Sequence, residues 1–307
     1  NADSIYALDP VSVGLPSSLA AFLLRKPFIL KVVGDYAWEQ YQQKIQNNNT
    51  GFKSIDNFQN ETVDFFTQIR RRIEHVVARR ADMVIVPSEF LKSILLQWGV
   101  DGEKIKVIYN SFELPPLVLS REETRDSLRL NGTIFISAGR HVVWKGFDAL
   151  IDCMPEIIQK IPDAKLIIIG NGPETSRLMS YVSARGLCGR IIFTGKLSQG
   201  DFLLYLIAGD IFVLNTGYEG FSHTVLEAMS LGIPVVTTRV GGNPEIIDHM
   251  KNGILVEYNN KEEIKKSIFL LYRDVGLRNA IIAEARKKAD EFSKERMLKE
   301  TIQMFTR

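Results

Sequence analysis

Cysteine is nearly absent from this sequence. Cys153 and Cys188, the only two in 307 residues, fall in separate predicted helical regions. They offer neither a disulfide framework nor a metal-ligand spacing, which suits a reducing compartment. Long apolar runs are missing too, none approaching the roughly 18 residues a membrane span needs. Charge of one sign is not concentrated at domain scale: residues 1–117 carry 13 Lys and Arg against 13 Asp and Glu, the remainder 25 against 23, and the net charge is +2. A basic domain of the kind that binds nucleic acid is therefore excluded. A dinucleotide fingerprint is lacking as well. Gly170-Asn171-Gly172-Pro173 follows a predicted strand, but Thr175 stands where G-x-G-x-x-G requires its third glycine, and no acidic residue ends the next strand to read a ribose. That disfavours a redox enzyme and leaves a tight turn, with Pro173 opening a helix.

What is present is an ordinary globular composition, 45% hydrophobic and 24% charged, in a chain long enough for two full cores. Short β-branched runs alternate with helix-periodic stretches throughout, which predicts α/β architecture with parallel sheets. In the first part, strands are expected at Ser4 to Leu8, Phe28 to Val33, Met83 to Val86 and Lys106 to Tyr109, with a long helix from about Glu61 to Arg80. These are too few strands for a complete nucleotide-fold domain. Asp35 to Asn60, rich in Asn and Gln and seeded with Tyr36, Trp38, Tyr41 and Phe52, reads as a long irregular segment beyond a strand end, the kind of place where sugars are bound. Asp101-Gly102-Glu103 reads as a turn. The run Arg70 to Arg80 reads as a solvated helix face, with association at a membrane surface as the alternative. Ser111 to Ser120, with Pro115-Pro116, has the composition of a linker. Beyond it, a regular strand-helix alternation predicts a second, doubly wound domain. The expected division is 1–117, 118–290 and a terminal helix over 291–307.

The most informative stretch is Tyr218 to Gly232, YEGFSHTVLEAMSLG. It follows the apolar strand Asp210 to Leu214 and turns through Gly217 and Gly220 into a helix-forming run. A helix that begins at the carboxyl end of a parallel strand presents unpaired N–H groups and its positive dipole end, a natural anion site. Phe221, Ser222, His223 and Thr224 would supply those groups, with Ser222 as N-cap. Glu219 and Glu227 flank the site without occupying it. A carboxylate beside an anion site makes sense where it accepts hydrogen bonds from hydroxyls, as the diol of a ribose or a sugar provides. The combination points to a nucleotide sugar. Arg140 and Lys145 follow the first strand of the same domain on the same edge, placed to neutralise a shared diphosphate.

Glu219 and Glu227 form an E-x7-E pattern that resembles the signature of glycosyltransferase family 4. Gly139-Arg140-His141-Val142-Val143-Trp144-Lys145-Gly146 is similar to the family's G-R-x4-K-G, and Gly241-Gly242-Asn243-Pro244-Glu245 follows downstream in the family's order. The resemblance implies the GT-B fold: two Rossmann-like domains facing across a cleft, the N-terminal one incomplete here. It implies that roughly the first third of the whole protein, with part of the acceptor site, precedes this chain, and that the last helix crosses back to the first domain. It further implies a retaining, metal-independent transfer of sugar from a UDP-, GDP- or ADP-linked donor to an acceptor hydroxyl on a glycan, a lipid-linked or a small molecule, in the cytoplasm or at the inner face of the membrane, as in polysaccharide biosynthesis. No cofactor is expected. Glu227 would accept from the ribose diol, Glu219 from the transferred sugar, residues 221–224 would hold phosphate, Arg140 and Lys145 would stabilise the departing diphosphate, and Leu197 would meet the base through its backbone. His141 is expected to do no chemistry. On the acceptor side this chain departs from the pattern: where many members carry a His it reads Val33-Gly34-Asp35, so Gly34, Asp35 and Trp38 become the acceptor-side candidates. Three other functions remain open on sequence: a sugar-nucleotide epimerase, a phosphorylase carrying pyridoxal phosphate on a lysine, and a nucleotide-sugar binder without turnover.

Overall fold

The computed structural model describes residues 3–47, 52–114 and 119–305. The chain divides into two compact units, residues 1–111 with 292–307 and residues 112–291. The expected linker prolines, Pro115 and Pro116, lie outside the described residues.

Unit 1 is built on a four-stranded, all-parallel sheet in the order β1 (Ile5–Ala7), β2 (Phe28–Lys31), β3 (Met83–Val86) and β4 (Ile105–Val107). Its helices are α1 (Gly14–Leu24), α2 (Tyr36–Asn47), α3 (Ile55–Gln59), α4 (Phe65–Arg80) and α5 (Glu89–Gln97). Asp101 caps a 3-10 turn over Gly102–Lys104, so the acidic pair there is a turn and nothing more.

The segment after β2 corrects an expectation. Instead of an irregular acceptor loop, its described part forms α2 and α3. Asp35 Oδ1 accepts the Trp38 amide at 2.7 Å, and the Glu74 carboxylate of α4 accepts the amides of Tyr36 and Ala37 at 2.8 and 3.1 Å. Two carboxylates thus satisfy the first-turn N–H groups that any helix leaves open. The amides that made the stretch look loop-like tie backbone together: Gln42 bonds both the carbonyl and the N–H of Lys53, and Gln59 donates to Asp35. Asp35 and Trp38 are consequently buried, at 1% and 0% exposure, with their polar atoms engaged in these helix contacts. Gly34 is half-buried beside them.

Unit 2 is a six-stranded parallel sheet in the order β10-β9-β8-β5-β6-β7. In chain order it contains α6 (Arg121–Ser127), β5 (Ile134–Ala138), α7 (Phe147–Lys160), β6 (Lys165–Ile169), α8 (Thr175–Ala184), β7 (Ile191–Gly195), α9 (Gln199–Ala208), β8 (Ile211–Leu214), α10 (His223–Leu231), β9 (Val235–Thr238), α11 (Asn243–Ile246), β10 (Ile254–Val256), α12 (Lys261–Arg273) and α13 (Val275–Asp290). The runs IFISA, KLIII, IFVL and VVTT are predominantly apolar and almost wholly buried because both faces of a parallel sheet lie under helices. Ile167, Ile168 and Phe212 are fully buried, each worth about 1.5–3 kcal/mol of transfer from water. Strand β5 lies between β6 and β8, so the order in which strands are added reverses there, and the ligand crevice of such a sheet opens at the carboxyl ends of those strands.

The last helix, α14 (Lys294–Gln303), belongs to unit 1. Met297 and, just past the helix end, Met304 pack with Ile29, Ile85 and Ile108.

Candidate functional site

A cavity of about 880 Å³ opens in unit 2 where four strands end. Its wall is made by Gly139 and Arg140 after β5, by the turn Gly170–Pro173 after β6, by Lys196 to Gln199 after β7, and by His223, Thr224 and Glu227 on α10 after β8. Five of the residues singled out from sequence, Arg140, Leu197, His223, Thr224 and Glu227, share this wall.

The opening of α10 is built as its sequence suggests. Ser222 is the N-cap, its hydroxyl accepting the Val225 amide at 3.3 Å. The Thr224 N–H has no acceptor among the described residues, as the first turn of a helix leaves it. Phe221 and Ser222 themselves are buried, at 4% and 2% exposure, and support the turn from beneath. About a turn and a half along, Glu227 projects to the cavity with only 7% exposure. Burial raises its pKa above the ordinary carboxylate value, and a 2.7 Å hydrogen bond from the Gln199 amide opposes the rise.

Lys145 and Glu219 stand beside the cavity and pair with each other. The ammonium lies 2.5 Å from Glu219 Oε2, with the two side chains 15% and 16% exposed. The loops that carry them are stitched together: the Gly217 amide donates to Trp144 O at 2.6 Å and Thr216 Oγ1 donates to the same carbonyl. The downstream Gly241-Gly242 pair fixes Glu219 from the other side. Gly242 N–H donates to Glu219 O at 2.9 Å, and Gly241, at φ +63°, lies so close that a Cβ there would sit 1.9 Å from that oxygen. The three motifs thus converge on one corner of the sheet. Arg140, by contrast, is exposed on the cavity wall with no ion-pair partner among the described residues.

The opposite wall is a backbone-to-backbone contact. Gly170, at φ +123°, passes Gly139 so closely that a Cβ would meet the Gly139 carbonyl at 2.1 Å. His141 is wholly buried there. Its Nδ1 is 2.8 Å from Thr175 Oγ1, its backbone N–H donates to Asn171 O, and its ring meets Phe147 and Phe193 edge-on, while burial lowers its pKa. It braces the Arg140 loop against the 170–175 turn. Sequence reasoning did not pick out Gln199, Lys196, Phe202 or Thr175 as cavity residues. The only available signal was position, since each follows the carboxyl end of a parallel strand. Among the described residues no group of three His, Cys, Asp or Glu side chains is arranged to hold a metal ion, and no helix is long and apolar enough to cross a membrane.

A doubly wound parallel domain with a helix terminus, carboxylates and cations gathered at its switch point places this chain among the Rossmann-like α/β proteins. Comparison with known proteins makes the assignment specific: residues 120–288 match the family of glycosyl transferases group 1, and residues 16–114 match glycosyltransferase family 4. The chain belongs to the glycosyl transferases group 1 family. Among curated relatives it is 32% identical over 244 residues to an uncharacterized glycosyltransferase of Methanocaldococcus jannaschii, covering 76% of this chain and 62% of the relative. It is 27% identical over 219 residues to mannosylfructose-phosphate synthase of Agrobacterium fabrum, covering 66% and 48%. The chain thus spans roughly half to two thirds of the length of such relatives. Anabaena HepE, solved in complex with UDP-glucose, superposes over 99% of this chain and 78% of its own, with a TM-score of 0.82 at 23% identity. That likeness establishes the GT-B fold, two Rossmann-like α/β domains.

Proposed function

We propose that the protein transfers a glycosyl group from a nucleotide-sugar donor to an acceptor hydroxyl, with retention at the anomeric carbon and without a metal ion. The observation that carries this reading is the cavity shared by the α10 N-terminus, the buried Glu227 carboxylate and the Arg140 guanidinium, which has no ion-pair partner among the described residues. The family assignment and a structural neighbour that holds UDP-glucose support the same donor class.

In this reading the first-turn amides of α10 receive the diphosphate, and Glu227 accepts hydrogen bonds from the ribose diol. The backbone around Leu197 meets the base. As the bond between the anomeric carbon and the phosphate oxygen breaks, negative charge grows on the departing diphosphate. Arg140 meets it with a forked donor, and Lys145, which uses one of its three N–H donors on Glu219, offers the others. The Lys145 contact in turn fixes the Glu219 carboxylate, whose remaining acceptor capacity serves the hydroxyls of the transferred sugar. A new bond then forms from the acceptor oxygen to the same face of the anomeric carbon, and the acceptor's hydroxyl proton leaves with the departing diphosphate.

The test is calorimetric titration with UDP, GDP and ADP, with and without magnesium, on the protein and on Glu227→Ala. One nucleotide should bind independently of magnesium, and the variant should bind it more weakly by about 1.5–3 kcal/mol, the scale of a hydrogen bond to a charged group. Binding that needs magnesium would overturn the metal-independent part, and equal affinity in the variant would overturn the role of Glu227.

A further inference from the structure

We infer that Gln199 is a positioning residue for the nucleotide: its amide holds the Glu227 carboxylate in the orientation from which the second carboxylate oxygen receives the ribose diol. The inference rests on the cavity being the nucleotide site. Gln199 opens α9 and reaches across to α10, where its Nε2 donates to Glu227 Oε1 at 2.7 Å. That occupies one oxygen and leaves the other without a hydrogen-bond partner among the described residues. The side chain is not needed to build its own helix, because Ser198 caps α9 through the Asp201 amide. Gln199 is also exposed, so it contributes little to the core.

The chemistry of the contact favours an amide over a charged donor. A lysine or arginine at 199 would form an ion pair with Glu227, and the diol would have to compete with it. A neutral amide fixes the carboxylate in place and leaves its charge available. The charged and titratable groups around Glu227 include Arg140, Lys196 and His223 along the cavity wall, Asp201 and Tyr205 on α9, and Arg286 on α13, which donates to Leu231 O. None of them bonds the carboxylate; its raised pKa comes from burial, and the Gln199 hydrogen bond is what opposes it. Removing that bond raises the pKa further, so Glu227 takes up its proton at a higher pH and loses acceptor capacity towards the diol.

The experiment compares Gln199→Leu with the unaltered protein by titration calorimetry across pH 5.5 to 8.5. Ligands are UDP, GDP and ADP, each beside its 2′,3′-dideoxy counterpart. In the unaltered protein the preferred nucleotide should bind less tightly as pH falls, and its dideoxy form should not show that dependence. In the variant the fall should begin at higher pH, and binding near pH 7 should be roughly tenfold weaker, one hydrogen bond's worth. The dideoxy form should bind both proteins alike. Equal loss of the nucleotide and its dideoxy form would make Gln199 a packing residue and overturn the inference, as would an unchanged pH profile. If the unaltered protein binds none of the three nucleotides, the functional reading falls and this inference falls with it.

Discussion

Gly241→Ala probes whether the corner where three motifs meet sets the chemistry. The added Cβ would stand 1.9 Å from Glu219 O, 2.9 Å from its carbonyl carbon and 3.1 Å from its nitrogen, so the backbone at Glu219 must retreat by roughly 1–2 Å to reach ordinary contact. The alanine must also hold φ +63°, which costs a residue with a Cβ about 1–2 kcal/mol, and overpacking adds about 1–3 kcal/mol. Unit 2 should therefore lose about 2–5 kcal/mol of stability. The displaced Glu219 can no longer hold Lys145 at 2.5 Å. A misplacement of that size at a reacting group typically costs ~10²-fold in rate. Glu227 lies on α10 beyond and its Gln199 partner on α9, so nucleotide affinity should change far less than turnover. Thermal unfolding, nucleotide titration and steady-state sugar transfer on the same preparation separate the three effects. Turnover and nucleotide affinity falling by equal factors, or neither falling, would refute the placement of Glu219 and Lys145 at the reacting sugar.

Arg140→Ala should lower kcat by about two to three orders of magnitude, as loss of a preorganised charge-stabilising donor does, with little change in stability because the side chain is exposed; a single-turnover rate equal to that of the unaltered protein would rule this out. His75, stacked on Trp98 at 5.2 Å, has its pKa pushed down to about 4, chiefly by burial, with Arg79 and Arg71 adding to the shift. Since the folded value lies below the ordinary 6.5, its contribution to the stability of unit 1 is full above pH 6.5 and is lost as pH falls towards 4, about 2 kcal/mol after allowance for partial exposure. Glu74, whose pKa burial raises, works in the opposite sense by destabilising the fold as pH rises. Comparing urea unfolding of His75→Phe with the unaltered protein from pH 7.5 to 4.5 isolates the histidine, and parallel profiles would show that it makes no contribution.

Unit 2 was legible because its information is local. A β-branched run followed by glycines, an N-cap serine and a helix-forming stretch specifies strand, turn and helix from neighbouring residues alone, and β8, the Ser222 cap and α10 occur as read. The spacing of Glu219 from Glu227 likewise follows the geometry of one loop and one helix. The segment around Asp35 and Trp38 was misread as a loop because what decides its helical state is distant in sequence. The N–H groups of Tyr36 and Ala37 are satisfied by Glu74, 38 and 37 residues away, and nothing within 35–60 announces that acceptor. A polar, amide-rich segment reads as a loop until its partners are known, since Gln and Asn bond backbone as readily in a packed helix pair as in a turn. Gln199 escaped notice for the same reason: its significance lies in a carboxylate 28 residues downstream on another helix. The Lys145–Glu219 pair, 74 residues apart, was foreseen as two residues on one sheet edge and missed as a contact. Motifs therefore located the corner of the sheet where the proposed chemistry lies. The contacts that tune it, amide to carboxylate and ammonium to carboxylate, depend on how neighbouring strands bring separate loops into register, which no single stretch of this sequence encodes.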